Sequence, residues 1–251
     1  MASINIKSKK EIEIMRKGGK IAATILLDLK KAIKPGLKTK DLANSAEKLI
    51  EKEGAKASFK NYNGYPSSIC VSINDEVVHG IPSDRIIKEG DIIGLDVGIF
   101  YGGYHADTAI TVGVGKISPE AKRLILVTEY ALQKGIQAIR PNKRLGEIQN
   151  IIQYEIEKEG FGVVRDLVGH GIGKKLQESP AIPNFGSPKD GPILKEGMTL
   201  AIEPMVTAGD WRVKVLDDGW TVTTIDKSLS AHFEHTIAVT KNGAEVLTKI
   251  N

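Results

Sequence analysis

A single cysteine, Cys70, stands among 251 residues. That excludes an internal disulfide framework and any zinc site built from several cysteines, and it suits a reducing compartment. Long apolar runs are missing too. No stretch approaches the roughly 20 residues that span a bilayer, and the opening MASINIKSKK lacks the apolar core of a secretory signal. The expectation is a cytoplasmic protein with no membrane association. No linker or low-complexity tract interrupts the chain, so residues 1–251 are expected to form one domain with ample material for a core. Charge of one sign is also missing: 35 Lys and Arg face 31 Asp and Glu, a net +4. That permits attraction to an RNA-rich partner without demanding it.

What is present is an alternation of helical and strand patterns in each half. Ile14, Ile21, Ile25, Leu29 and Ile33 recur near 3.6 residues, which predicts a helix over 8–33 with Ser8 and Glu11 as a capping box. A second helix is expected from a Thr39 cap to Gly54. Ser118 and Pro119 open a third, to about Ile139, and a fourth runs from Leu145 to Glu159. Strands are expected over 68–73, 198–206, 211–215, 221–225, 232–240 and 245–248, with loops over 59–66 and 74–84. The halves share this content without obvious repetition of sequence. Two similar α+β halves, with antiparallel sheets covered by helices, are therefore expected to form one domain.

The central stretch, Asp91 to Thr111, predicts a hairpin about Tyr101-Gly102-Gly103, because the glycines tolerate positive φ. With the turn centred between Tyr101 and Gly102, Asp96 is expected opposite Asp107. Like charges so placed repel, and a cation between them removes that cost.

Three further residues carry acid or imidazole where apolar or small residues are expected: His170 between two glycines, Glu203 within TLAIEPMV, and Glu234 within AHFEHTIAV. Strand alternation puts His232, Glu234 and Thr236 on one face. A buried carboxylate is protonated, paired or metal-bound, because desolvating a bare charge is prohibitive. Four carboxylates and one imidazole can hold two divalent ions if some carboxylates bridge, an arrangement suited to hydrolysis. Mostly oxygen ligands favour Mn2+, Fe2+, Co2+ or Zn2+. Bland alternatives stand beside each. A lone strand acid is more often half of an ion pair. His105 is a partner behind Asp107 or a structural hydrogen bonder. His232 either reaches the Glu234 face or is solvated, His235 is structural, and Cys70 is a small buried hydrophobe.

Five segments taken together closely resemble the type I methionine aminopeptidases, in order and over nearly the whole chain: CVSINDEVVHGIP (70–82), Asp96-Val-Gly through His105-Ala-Asp-Thr108, GHGIG (169–173), IEPM (202–205) and FEHT (233–236). The resemblance implies the pita-bread fold, a pseudo-twofold α+β domain, and a dinuclear centre holding two divalent ions (Co, Mn, Fe or Zn). It assigns Asp96, Asp107, His170, Glu203 and Glu234 as metal ligands, with Asp107 and Glu234 bridging. It makes His79 the contact to the scissile-amide nitrogen and Glu203 a proton shuttle. The methionine pocket maps to Tyr62, Tyr65, Cys70 and Trp220, where aromatic faces and a thiol are polarisable partners for a thioether. The implied activity is removal of the initiator methionine from nascent polypeptide N-termini with a small second residue, by a monomer like the bacterial short form.

One position departs from that pattern. Seven residues after His170, where the family carries a second histidine that hydrogen-bonds the substrate carbonyl, this chain has Gln177, preceded by Leu176 in place of an aromatic. Glutamine keeps an N–H donor but cannot relay a proton, so weakened catalysis is expected. A non-catalytic pita-bread binding protein is the alternative. Prolidase-like relatives usually carry an additional N-terminal domain, for which the chain has no room. Ribosome association through Lys7, Lys9, Lys10, Arg16 and Lys17 is a further expectation, set against an ordinary solvated helix face.

Overall fold

In the computed structural model, which describes residues 3–249, four helices cover a large antiparallel sheet. Helix α1 (Lys9–Ala32) begins as its sequence predicts: the Ser8 hydroxyl accepts from the Glu11 amide, and the Glu11 carboxylate accepts from the Ser8 amide at 2.8 Å. Helix α2 (Thr39–Lys52) begins one residue earlier than expected. Lys38 is its cap residue, with its amide donating to Asp41. The Thr39 hydroxyl instead donates to the Ser83 carbonyl and accepts from the Ser83 amide. Helix α3 (Pro119–Ala138) starts from the Ser118 cap, and α4 (Leu145–Glu157) stops short of Gly160, whose φ is +78°. No helix among the described residues is long and apolar enough to cross a membrane.

Strand alternation decides which face the helices cover. In the strand Ile92–Tyr101, Ile93, Leu95, Val97 and Ile99 are fully buried with Ala22, Ile25 and Leu29 of α1 and Leu42, Ala46 and Ile50 of α2. In the second half, Leu200, Ile202, Ile237 and Val239 pack with Leu124 and Leu132 of α3 and Ile148 and Ile152 of α4. Each such Val, Leu or Ile contributes about 1.5–3 kcal/mol through burial. The intervening residues, Asp96 and Gly98 among them, face the other way. That second face carries the chemistry.

The hairpin differs from expectation in register. Its two loop residues are Gly102 and Gly103, with φ of +57° and +89°, so Tyr101 pairs with Tyr104. Asp96 therefore lies opposite Ala109, and Asp107 opposite Gly98. The two-residue loop wins because paired positive φ values match the twist of the flanking strands. The slip is two residues, an even number, so both aspartates keep their common face. Gly98 also leaves a slot: a Cβ there would fall 2.4 Å from the Phe59 ring.

Two expected strands are each broken. Thr199–Ile202 and Met205–Thr207 are separated by Glu203-Pro204, since proline removes a ladder donor. Ser230–His232 and Glu234–Thr240 are separated at Phe233. Met205 pairs with His232, so the far segments form a small separate sheet with Gly162–Val163. Within the expected 74–84 loop, Glu76–Val78 forms a short strand against Val222–Thr224.

The two halves join where Tyr104–Gly113 meets Glu234–Thr240, through the pairs Glu234–Ala109 and His235–Thr108. Threonine hydroxyls complete this seam. Thr236 Oγ1 accepts from the Asp107 amide (2.9 Å) and donates to the Asp107 carbonyl (2.8 Å). Thr108 donates to the Glu234 carbonyl, and Thr111 donates to the His232 carbonyl while accepting its amide.

Of the five basic residues expected to face a ribosome, two are committed elsewhere. Lys7 is buried against Glu178, and Arg16 is tied to Glu13 and Glu245. Lys9, Lys10 and Lys17 are exposed.

The seam predicts the effect of one isosteric change. Thr236→Val keeps the shape but leaves the Asp107 amide without a partner, and should lower stability by about 1–3 kcal/mol. A urea titration with an unchanged m-value is the measurement, and a shift within error of zero would show the seam to be passive.

Candidate metal centre

Five strands deliver the five expected ligands to one place. Asp96 and Asp107 come from the two arms of the central hairpin, and Glu234 from the first position of its strand across the seam. His170 lies in Gly169–Gly171, paired with Ala201, and Glu203 follows the end of Thr199–Ile202. His170 is placed by backbone: a Cβ at Gly169 would stand 2.5 Å from the Ala201 carbonyl, and one at Gly171 2.3 Å from the Ser179 carbonyl. The glycines thus admit neighbouring strands.

Ligand atoms of Asp107, His170 and Glu234 lie within 4.8 Å of one another. His170 Nε2 is 3.6 Å from Glu203 Oε1. Its Nδ1 lies 2.9 Å from the Gly171 carbonyl, an acceptor that fixes the proton on Nδ1. Burial lowers the His170 pKa, so the ring is neutral and the free Nε2 lone pair faces the acids.

Burial raises the carboxyls of Asp96, Glu203 and Glu234 well above their usual range, and the neighbouring acids add to it. Asp107 is pushed up by burial to about 7. One oxygen on each of the four (Asp96 Oδ1, Asp107 Oδ1, Glu203 Oε1, Glu234 Oε1) is buried without a hydrogen-bond partner. Four converging acids with unsatisfied oxygens and a neutral imidazole fit a divalent cation, which would relieve repulsion and supply the missing partners.

The acids open onto a cavity of about 180 Å3. Its wall holds every expected substrate-contacting residue: Tyr62, Tyr65, Cys70, His79, Leu176, Gln177 and Trp220. Tyr65 and Trp220 meet edge to face at 5.2 Å, and the Tyr65 hydroxyl is turned to the Ile69 and Gly80 carbonyls. Cys70 pairs with Asp96 in the ladder, and burial raises its thiol pKa, so it enters the cavity as a neutral, polarisable wall. His79 has φ +59°, a strained value for a residue with a side chain, and its pKa is lowered by burial. Gln177 is exposed at the rim, whereas Leu176 is buried.

Several residues fall outside the sequence reading. Phe59 and Met205 line the cavity. Asn184, fully buried, donates to the Glu203 carbonyl. Met205 lies within the IEPM segment without a role expected of it, and nothing in the local sequence sets Phe59 or Asn184 apart, because their role comes from tertiary placement. His232 is not solvated: it is 3 % exposed, with its Nε2 unpartnered and 4.0 Å from Glu203. Burial pushes its pKa down to about 3. His105 bonds Ser58 at 2.8 Å and stacks on Phe100, and His235 bonds Thr248, so both are structural.

The chain matches the model of metallopeptidase family M24 over residues 13–241. It is 53 % identical to methionine aminopeptidase 1 of Bacillus subtilis, over 97 % of this chain and 98 % of that protein. The crystal structure of the Thermotoga maritima methionine aminopeptidase superposes with a TM-score of 0.98 at 49 % identity, covering 99 % of this chain and all of the other. The prolidase of Pyrococcus furiosus superposes at 0.78 with 27 % identity, and this chain covers 66 % of it.

The acid cluster makes the metal-free protein sensitive to pH. An unfolded aspartate releases its proton near about 3.9, whereas Asp107 keeps its proton to about 7. Between those values the folded state binds more protons, so stability falls as pH rises through the window and stays low above it. Chelator-treated protein should therefore lose more urea resistance between pH 5 and pH 8 than its Asp107→Asn variant, and equal losses would refute the assignment. Added Co2+ or Mn2+ should raise the wild-type midpoint most at the higher pH.

Proposed function

The chain belongs to metallopeptidase family M24, among its methionine aminopeptidases, and we propose how its residues remove the initiator methionine from nascent polypeptides whose second residue is small. The observation that carries the reading is the convergence of four unsatisfied, buried carboxylates and a neutral imidazole at one end of a cavity walled by aromatics and a thiol. The fold is the pita-bread arrangement shared with the methionine aminopeptidase and prolidase structures.

The methionine side chain enters between Tyr65, Cys70, Leu176 and Trp220, with Phe59 and Tyr62 completing the wall. Sulfur–aromatic contacts there contribute about 0.3–1.5 kcal/mol each. Asp96, Asp107, His170, Glu203 and Glu234 would hold the metal, which we assign as two divalent ions of Co, Mn, Fe or Zn. Bound there, such ions supply Lewis-acid polarisation of the scissile carbonyl and ionise water at neutral pH.

The chain's own residues do the rest. Glu203 takes the proton of the attacking water and passes it towards the leaving amine. His79, kept neutral by burial, contacts the scissile-amide nitrogen and assists its departure. Gln177 at the rim donates its side-chain N–H to the carbonyl oxygen as charge develops there. We assign the protein to the cytoplasm as a monomer. Contact with the ribosome would fall to Lys9, Lys10 and Lys17, which remain exposed. The relatives named above give no support to a non-catalytic binding role.

Methionine release from Met-Ala-Ser, assayed on apoenzyme with each candidate metal in turn, tests the reading. Activity should require metal, and Glu203→Gln should lower kcat by about 10²–10⁴. Release that survives thorough chelation would sink the mechanism.

The rim glutamine has its own test. An oxyanion donor removed outright costs about 10²–10³ in rate, and a retained amide donor costs less. Gln177→His should raise kcat/KM on Met-Ala peptides, and no increase would mean that Gln177 does not limit the rate.

A further inference from the structure

Lys7 enters the sequence as one of a string of surface cations, yet its ammonium is buried against Glu178, the residue that follows Gln177 of the cavity wall. Its Nζ stands 2.5 Å from Glu178 Oε2, with side chains 5 % and 4 % exposed. Asn5 Nδ2 donates to the same oxygen at 3.0 Å, and the Lys175 amide donates to Oε1 at 3.2 Å. Glu178 thus gathers donors from the N-terminal arm and from its own turn. The Lys7 amide also donates to the Gly197 carbonyl, which anchors the arm independently of the ion pair. Gly173 opens the passage: a Cβ there would fall 2.5 Å from Lys7 Cε and 2.7 Å from Glu178 Oε1.

This buried pair sits one residue from Gln177 and two from Leu176, both of which line the cavity. The turn that carries them is closed at its base by the ladder pair Gly171–Glu178, and within it the backbone bonds are Gly173 N–H to the Lys175 carbonyl and His105 N–H to the Gly173 carbonyl. We propose that Lys7 and Glu178 are positioning residues for the reaction, an ion pair through which the N-terminal arm locks the Gly173–Glu178 turn and so sets where Gln177 meets the scissile carbonyl and where Leu176 closes the methionine cavity. The inference rests on the aminopeptidase reading above. Burial makes each partner dependent on the other, because removing one leaves an uncompensated charge in a dry site. The turn is then free to move, and a displacement on the order of 1 Å at a substrate-contacting group can cost about 10²-fold in rate.

The test is a kinetic cycle on Met-Ala-Ser with metal-loaded full-length enzyme, at a temperature where circular dichroism shows each variant folded. Lys7→Met should lower kcat/KM by about 10- to 100-fold. Glu178→Gln, which keeps the shape and an acceptor oxygen, supplies the same reading if Lys7→Met does not fold. The distinguishing measurement combines either change with Gln177→Ala. If the pair acts through the rim, Gln177→Ala should cost much less in the Lys7→Met background than in wild type. A purely structural role predicts the same fold-loss in both backgrounds. Additive losses, or a Lys7→Met enzyme within twofold of wild type, would overturn the proposal. Wild-type enzyme that releases no methionine would fail the aminopeptidase reading itself and take this inference with it.

Discussion

The joint between the two halves is the constraint on which the site depends. Two half-sheets, each backed by its own pair of helices, meet along a seam that backbone pairing alone does not complete, and Thr108, Thr111 and Thr236 finish it with hydroxyls. Asp107 and Glu234 lie on either side of that line. A side-chain hydroxyl offers donor and acceptor at once, so the strands stay in contact where their ladder stops. The acids are thereby held close by a structure that does not itself neutralise them.

That arrangement accumulates repulsion. Each of the four carboxylates has its pKa raised, first by burial, and each retains an oxygen with no partner. Native proteins satisfy nearly all such groups, so four unpartnered acid oxygens at one place call for an explanation. The helix-covered face supplies the stability that lets the opposite face remain incomplete. A residue such as Leu95, fully buried, and its neighbour Asp96 divide these two tasks between adjacent positions of one strand.

The sequence made the helices and the choice of face legible, because capping and alternation are local. Ser8 with Glu11 and Ser118 with Pro119 mark helix starts without reference to anything distant. The hairpin shows the limit: parity placed Asp96 and Asp107 on one face, but register turned on which two residues form the loop. Thr39 has a cap's local sequence, but its hydroxyl is claimed by Ser83, 44 residues away, and Lys38 is the cap. The split at Glu203-Pro204, the burial of His232 and the pairing of Lys7 with Glu178 depend on partners distant in the chain. Charge on a residue does not announce whether water or a carboxylate will meet it. The convergence of the five acid and imidazole residues and the make-up of the cavity wall were legible mainly through the spaced motifs shared with the aminopeptidases. The departure at Gln177 was visible in sequence, and its exposed place at the rim required the fold.

His170 owes its place to two glycines whose missing side chains admit the Ala201 and Ser179 carbonyls. Its imidazole is therefore located chiefly by main chain against main chain. One result is a separation of mutational tolerance. The packed layer between α3, α4 and the sheet can exchange one aliphatic residue for another and change how firmly the protein folds, since such cores accept volume-conserving swaps. The imidazole would keep its position through those exchanges. A single methyl group added at Gly169 or Gly171 would leave the aliphatic layer intact and displace the imidazole.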